Sequence, residues 1–512
     1  MTGRVPVVVV GAGPTGITAA TLLASFGVEC LVLDRFTEVY PRPRAVHLDG
    51  EVHRILARLG VAEEFAAISL PSPGMRLVDA DTEVLAEFGR PPEPGAHGFP
   101  EANMFDQPEL ERLLRRNLAR HPRAELCGGV EVTGLVRHEI TGDGAVTVEF
   151  RDTATGERDA VVADRVLGCD GANSLVRDVI GARMTDLGFE QRWLVADIAT
   201  ADDLDRWDGT HQLCSAERAA TFMRVGPERY RWEFQLLPGE SAADFPTIAA
   251  LRPLLRPWVR DGLDLELLRI TEYTFRSQVA DRWRDGPVFL LGDAAHLTPP
   301  FVGQGMGAGL RDAQNLAWKL AGVLRGELPE SDLDSYQVER RQHAAMMVRV
   351  AVAMGRAMTG GGRPADLVRR TLLPALLRVP GVRAALGESS SPALRRSSLV
   401  RARPELAGRL CPNAEVTRTC RFDDLAGGRF ALVTDLPLDA GELREVERAG
   451  AIPVRVAPDE PLGRWLAEGG ARAALVRPDA TVLAAGDAPR PVLAALSEEG
   501  RRVAVPVGGA AR

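Results

Sequence analysis

The chain is nearly devoid of lysine: of its 62 basic residues, Lys319 is the only lysine and the rest are arginine. Histidine is scarce at 8 residues, so few side chains can carry a proton near neutral pH. Six cysteines, Cys30, Cys127, Cys169, Cys214, Cys411 and Cys420, stand apart without a C-x-x-C pair, which argues against structural zinc or a disulfide framework. No apolar run approaches the roughly 20 residues of a membrane span. The chain enters a strand-like run at once, with no cationic leader before it. A net charge of −8 makes nucleic acid and anionic membranes poor partners. The expectation left by these absences is a soluble, cytoplasmic protein without a metal site. At 512 residues and 45% hydrophobic it is long enough for about three domains.

Glycine, by contrast, is placed with purpose. Residues 7–10 are apolar and β-branched, the pattern of a strand buried on both faces of a parallel sheet. Gly11, Gly13 and Gly16 follow at G-x-G-x-x-G spacing, and residues 17–26 have the Ala- and Leu-rich pattern of a crossover helix. In a dinucleotide-binding turn these glycines give a tight bend, close approach to a pyrophosphate and close helix packing, with the phosphates at the helix N-terminus. A second strand is expected at residues 30–33, and Asp34 at its end stands where a carboxylate can accept hydrogen bonds from a ribose. Taken alone, this turn is weak evidence, because many glycine turns bind nothing.

A second glycine-rich stretch changes its meaning. Residues 288–291 read as a buried strand ended by Asp293, and a loop from Pro299 and Pro300 through Gly303, Gly305 and Gly307 leads to a helix expected near Leu310. A nicotinamide dehydrogenase needs only one such half-site. Two remote turns imply one long cofactor gripped at both ends, which points to FAD. Asp293 would meet the polyol, and backbone N–H groups of the 303–307 loop would face the ring edge where negative charge gathers on reduction. Between the two, Asp170-Gly171 is by composition a turn after a strand at 165–167.

The three segments, in this order, resemble the class A flavoprotein aromatic hydroxylases, the group that contains para-hydroxybenzoate hydroxylase and phenol hydroxylase. Arg44-Ala45-Val46-His47, Phe105-Asp106-Gln107-Pro108, Arg231-Trp232-Glu233-Phe234 and the run from Pro299 to Gly305 are most similar to the 3-(3-hydroxyphenyl)propionate hydroxylase type and related polyketide hydroxylases. The resemblance is tight over the first three-fifths and loose afterwards. It implies an α/β fold: a Rossmann-like FAD domain, an inserted β-sheet substrate domain, and a C-terminal thioredoxin-like α/β domain. It implies that Gly11, Gly13, Gly16 and Asp34 hold the ADP half of FAD, with Arg35 along the adenine. Arg44 and Gln107 would approach the pyrophosphate or ribityl chain and Asp293 the ribityl hydroxyls. Pro300, Gly303, Gly305, Met306 and Gly307 would surround the ring, and Asp170-Gly171 would serve both FAD and the reducing NADPH or NADH. The family often has Asn where this chain has Gly307, so a side-chain contact to the flavin is absent there. As the family works, dioxygen adds at flavin C4a of the reduced cofactor and its distal oxygen passes to the aromatic substrate.

The expected domain pieces are 1–75, 100–185 and 276–350 for FAD, 76–99 and 186–275 for substrate, a helical region and linker at 351–409, and 410–512 for the thioredoxin-like unit. Within the substrate piece, 192–200, 211–225, 230–237 and 265–275 read as strands. A long helix is expected over 333–355, interrupted afterwards by Pro364, Pro374 and Pro380, and an arginine-rich stretch at 369–409 reads as a solvated face or linker. The last unit lacks C-x-x-C, so packing or subunit contact, including a homodimer, is its expected role.

The hard oxygen chemistry belongs to the cofactor. The protein must stabilise the reduced flavin through Gly305, Met306 and Gly307, exclude water and activate a phenol whose ordinary pKa is near 10. His47 is the candidate base, with a buried structural histidine as the equal alternative; His296 reads as structural. Gln212, Cys214, Trp232, Phe234, Tyr273 and Phe301 are candidates for the aromatic pocket, each with sheet core as its alternative. Competing readings are a flavin halogenase, which would need a W-x-W-x-I-P run and a channel lysine, a reductase-like flavoenzyme, and a catalytically silent flavin binder.

Overall fold

The computed structural model describes residues 3–40, 45–138, 144–215, 217–359, 391–401 and 405–497. The strand Arg4–Val10 sits at the centre of an eight-stranded sheet, and its apolar run is buried because strands and helices cover both edges and faces. Cys30–Asp34 and then Ala124–Gly128 pair in parallel on one side of it; Arg158–Gly168 and then Val288–Leu290 pair in parallel on the other. The chain thus reverses direction of growth beside Arg4–Val10, and ligands of such sheets bind at the carboxyl ends of the strands at this switch point. Gly11 and Cys169, from the two strands that flank the crevice, meet there.

The second eight-stranded sheet is built around Met184–Ala199 and Glu266–Ala280, which pair antiparallel with irregularities after Asp186 and Asp197. Arg229–Gln235, Ala220–Arg224 and Thr210–Leu213 follow, and Gly74–Val78 with Val84–Gly89 complete the edge. The segment expected as one strand over 211–225 is two strands joined through Cys214 and Ala219. Glu266–Ala280 also runs past the expected boundary at 275, since its ladder continues to Ala280 and then takes up His296–Leu297.

The helix expected near Leu310 starts earlier, at Gly305, and runs to Leu324. Glycine is required inside it: a Cβ on Gly309 would lie 2.2 Å from Thr15 Oγ1. A turn at Glu330–Leu333 leads into the long helix Asp334–Thr359, in agreement with the apolar spacing read over 333–355. Arg44, Pro364, Pro374, Pro380 and part of the arginine-rich stretch lie outside the described residues.

The C-terminal unit has Ala431–Thr434 parallel to Ile452–Arg455 and antiparallel to Ala473–Val476, which pairs in turn with Val482–Gly486. Helices Ala440–Arg448, Pro461–Glu468 and Pro489–Ser497 connect and cover these strands. It is fastened to the first domain by buried charge. Arg54 donates to both Asp423 oxygens and to the Cys411 carbonyl. Lys319 donates to Asn315 and Glu339, and Arg477 joins the same Glu339 and Asp479. Burial draws Lys319 down to about 8, while Arg477 and Lys319 hold Glu339 near about 2 against the upward push of its own burial. The single lysine is therefore a structural tie. Such pairs add little net stability but are costly to break on one side. No helix among the described residues is long and apolar enough to cross a membrane, and none of their acidic, His and Cys side chains cluster as a metal site.

Candidate active site

A cavity of about 600 Å³ opens at the switch point and extends to the second sheet. At its first end the glycines divide the work. Gly11 has φ +102°, and a Cβ there would lie 2.4 Å from the Cys169 carbonyl oxygen; a Cβ on Gly16 would lie 1.9 Å from the Gly11 oxygen. A Cβ on Gly13 meets nothing within 4 Å, and Gly13, Pro14 and Thr15 line the cavity. Gly11 and Gly16 thus shape the turn, and Gly13 leaves room in front of the helix Pro14–Ser25, whose N-terminus has no side-chain cap. This open, electropositive backbone fits a pyrophosphate. Asp34 accepts N–H groups from Ala12 at 2.5 Å and Phe36 at 2.7 Å, so its carboxylate braces the same turn. Arg35 is exposed over the Phe36 ring and off the cavity wall.

Along the middle, Gln107 lines the cavity, accepting from the Ala45 N–H at 2.7 Å and donating to Glu111. Asp293 lines it from the opposite side. Asp170 is placed differently from expectation. Its carboxylate accepts the Ser174 hydroxyl at 2.5 Å and the Val176 N–H at 3.1 Å, capping its own short helix, and burial raises its pKa. Gly171 and Ala172 face the cavity in its stead.

At the far end Pro300, Gly303, Gly305 and Met306 line the cavity at the start of the helix Gly305–Leu324. Gly307 does not: a Cβ on it would lie 2.9 Å from the Arg311 guanidinium and from Val52, so glycine is needed there for packing. The loop is held from beneath by a buried cluster. Asp49 accepts from Gln304 at 2.9 Å, from Arg311 at 2.5 Å and from the Val52 N–H at 2.9 Å. Arg311, set against burial, holds the Asp49 carboxyl well below the usual range. His47 lines the cavity against Gly303, and burial lowers its pKa. His296 is structural, bonded to Asp312 at 2.8 Å and stacked on Trp283.

The second wall is a β-sheet face, and its parity decides which side chains matter. Gln212, Thr221 and Glu233 lie directly opposite one another on adjacent strands and all line the cavity, with Met223, Tyr273, Phe275 and Phe301 around them. Trp232 and Phe234, expected in the pocket, point the other way. They pack with Phe222 and Trp258 against the helix Ile248–Leu255, because neighbours of Glu233 in a strand must face the opposite side. Cys214 is also buried off the cavity, just beyond the strand Thr210–Leu213. Phe301 makes edge contacts with Phe189 and Trp193 at 5.4 and 5.7 Å between ring centres.

Glu233 and Thr221 were not singled out from sequence, although a glutamate between Trp232 and Phe234 in an apolar strand was a visible signal. Burial pushes the Glu233 carboxyl up to about 7, opposed by Arg231 and reinforced by Asp197. Arg231 is itself spent on Asp197 at 2.7 and 2.9 Å. Arg269 bridges Asp197 to Asp106, which also takes Arg229, so an ion-pair chain ties the second wall to the residue before Gln107.

The FAD binding domain family matches residues 4–351, and the chain belongs to that family. It is 36% identical over 385 residues to the 3-(3-hydroxy-phenyl)propionate/3-hydroxycinnamic acid hydroxylase 2 of Burkholderia vietnamiensis (strain G4 / LMG 22486), covering 74% of this chain and 68% of that one. It is 35% identical over 452 residues to the probable NADH-specific resorcinol 4-hydroxylase of Rhodococcus jostii (strain RHA1), covering 87% and 82%. In fold it is similar to aklavinone-11 hydroxylase in a ternary complex with FAD and aklavinone, with TM-score 0.79, 24% identity and coverage of 96% and 98%. The fold is that of the FAD-dependent monooxygenases, and the chain is an FAD-dependent aromatic hydroxylase that draws electrons from NAD(P)H.

Proposed function

We propose that the chain hydroxylates a small phenol seated between the 303–306 loop and the wall formed by Gln212, Thr221, Glu233 and Tyr273. One observation carries this reading: a single cavity runs from the open backbone at Gly13, past Gln107 and Asp293, to Gly305, and there meets a sheet face bearing polar and aromatic side chains. Gly13 and the N-terminus behind it would take the pyrophosphate, Asp34 the ribose, Gln107 and Asp293 the ribityl chain, and Gly303, Gly305 and Met306 the ring. When bound, FAD supplies electron transfer from NAD(P)H and activation of dioxygen. The helix start at Gly305 would stabilise negative charge at the ring edge. Phe275, Phe301 and Met354 would keep water from the reacting face. Gly171 and Ala172, at the cavity edge, would meet the reducing nucleotide.

The C-terminal strand order and directions support a thioredoxin-like arrangement for that unit. Its cysteines, Cys411 and Cys420, form no C-x-x-C, and burial pushes the Cys411 thiol far up, so the role proposed for it is packing.

The test is aerobic incubation of purified, FAD-loaded protein with NADH or NADPH and a panel of phenols that includes resorcinol and 3-(3-hydroxyphenyl)propionate. Phenol-stimulated loss of reduced nucleotide with a hydroxylated product supports the proposal. A flavin that NAD(P)H never reduces contradicts it and favours a silent flavin binder.

A further inference from the structure

We propose that Glu233 is the residue that receives the substrate's phenolic hydroxyl and takes its proton, a role the sequence had suggested for His47. The assignment rests on the phenol hydroxylase reading. Three observations support it. First, Glu233 is 6% exposed and what it sees is the cavity: it lies on the cavity face of Arg229–Gln235 while both neighbours in the strand point into the core. Second, among the described residues no donor is bonded to its carboxylate, and the arginine nearest in sequence, Arg231, is held by Asp197. A buried carboxylate without a donor is costly, so a site that keeps one has a ligand hydroxyl to place there. Third, its cross-strand neighbours complete a hydroxyl-binding patch: Thr221 donates to Gln212 Oε1 at 2.8 Å, which leaves the Thr221 oxygen as a further acceptor beside Glu233.

The groups around it fit that task. Arg231 and Asp197 lie behind the wall, Tyr273 lies on the same face, and His47, Asp49, Arg90, Glu101, Arg276 and Asp293 line the same cavity. Asp49 is tied to Arg311 and cannot serve as the base. With its pKa raised to about 7, Glu233 is a far stronger base than an ordinary carboxylate, yet ionised in part at neutral pH.

The proton balance is simple. The phenolic O–H bond breaks, an O–H bond forms on the Glu233 carboxylate, and the electron pair stays on the phenolate oxygen, from which it enriches the ring carbons ortho and para to it. After oxygen transfer the ring is a dienone. It loses the proton from the newly hydroxylated carbon to solvent, while Glu233 returns its proton to the phenolic oxygen, and both are restored.

The experiment compares wild type and Glu233→Gln as full-length, FAD-loaded proteins, with resorcinol and 3-(3-hydroxyphenyl)propionate as probes and their O-methyl ethers as controls. Binding is read from the perturbation of the flavin absorbance, and product formation by chromatography. The expected result is that wild type binds each phenol about 10- to 100-fold more tightly than its ether, as for a hydrogen bond to a charged group. Glu233→Gln should lose most of that discrimination, with a similar or larger loss of product per NAD(P)H consumed, and Glu233→Asp should restore part of both. Wild type binding phenol and ether equally overturns the assignment without any variant, as does Glu233→Gln with unchanged discrimination and product yield. If wild type hydroxylates no phenol of the panel, the enzymatic reading fails first and the assignment with it.

Discussion

The two walls of the cavity are made of different material. On the side proposed for the flavin the surface is mostly backbone: glycines whose missing side chains are required by carbonyls and hydroxyls within 3 Å, helix starts, and carboxylates that brace turns. On the facing side the surface is side chain, projected from a sheet in which alternate residues enter the cavity or the core. The contrast suggests a division of labour. A wall of backbone holds one fixed cofactor and tolerates little change, whereas a wall of side chains can alter substrate recognition without altering the fold.

The largest expected effect falls on the first wall. Gly16→Ala puts a Cβ at 1.9 Å from the Gly11 oxygen and should abolish FAD retention together with cooperative folding, seen as loss of flavin absorbance after gel filtration. Gly13→Ala, whose Cβ enters open space, should fold normally and lose only FAD affinity. If the two variants behave alike, the distinction between turn-shaping and ligand-facing glycines is wrong. On the second wall, Trp232→Ala should cost about 3–5 kcal/mol in denaturant unfolding, as for a large buried aromatic, and leave the ranking of phenols unchanged. Tyr273→Phe should do the reverse.

Glu233 offers a test through pH. Its pKa in the fold, about 7, lies above the ordinary value of 4.5, so its contribution to stability is intact below pH 4.5 and lost as pH rises through 7, where burial opposes ionisation. Glu233→Gln should therefore match wild type in free energy of unfolding at pH 4 and exceed it at pH 8 by an amount on the order of 3 kcal/mol, read from denaturant titrations. Equal stabilities at both pH values would mean that the carboxylate is not held in a low-dielectric setting. Asp293→Ala should weaken FAD binding by about 10- to 100-fold, the worth of hydrogen bonds to a charged group, measured by flavin titration of the apoprotein. The smallest effect is expected for His47→Ala. As a neutral neighbour of Gly303 it should lower product yield per NAD(P)H by only a few fold, with FAD content unchanged; loss as great as that of Glu233→Gln would return the role of base to His47.

The two walls also differ in how far the sequence announces them. Gly11, Gly13, Gly16, Asp34, Asp293 and the 300–306 loop announce themselves, because glycine spacing and strand ends are local properties of sequence. The second wall depends on register, which sequence does not print. The aromatic residues Trp232 and Phe234 have the parity of the core, and Glu233 between them has the parity of the cavity. Gly307 lies off the cavity wall because the helix begins at Gly305, before the point where its apolar periodicity becomes visible. The ties of Glu339 and Arg54 to the C-terminal unit join residues more than a hundred positions apart, and no local pattern marks them.

If one wall holds the cofactor that activates dioxygen and the other presents a phenol to it, turnover of resorcinol by the FAD-loaded protein with NAD(P)H under isotopically labelled dioxygen should give, by mass analysis, a hydroxylated ring carrying one labelled oxygen atom. Reduced nucleotide consumed with no label in any aromatic product would show that the two walls do not work in this way.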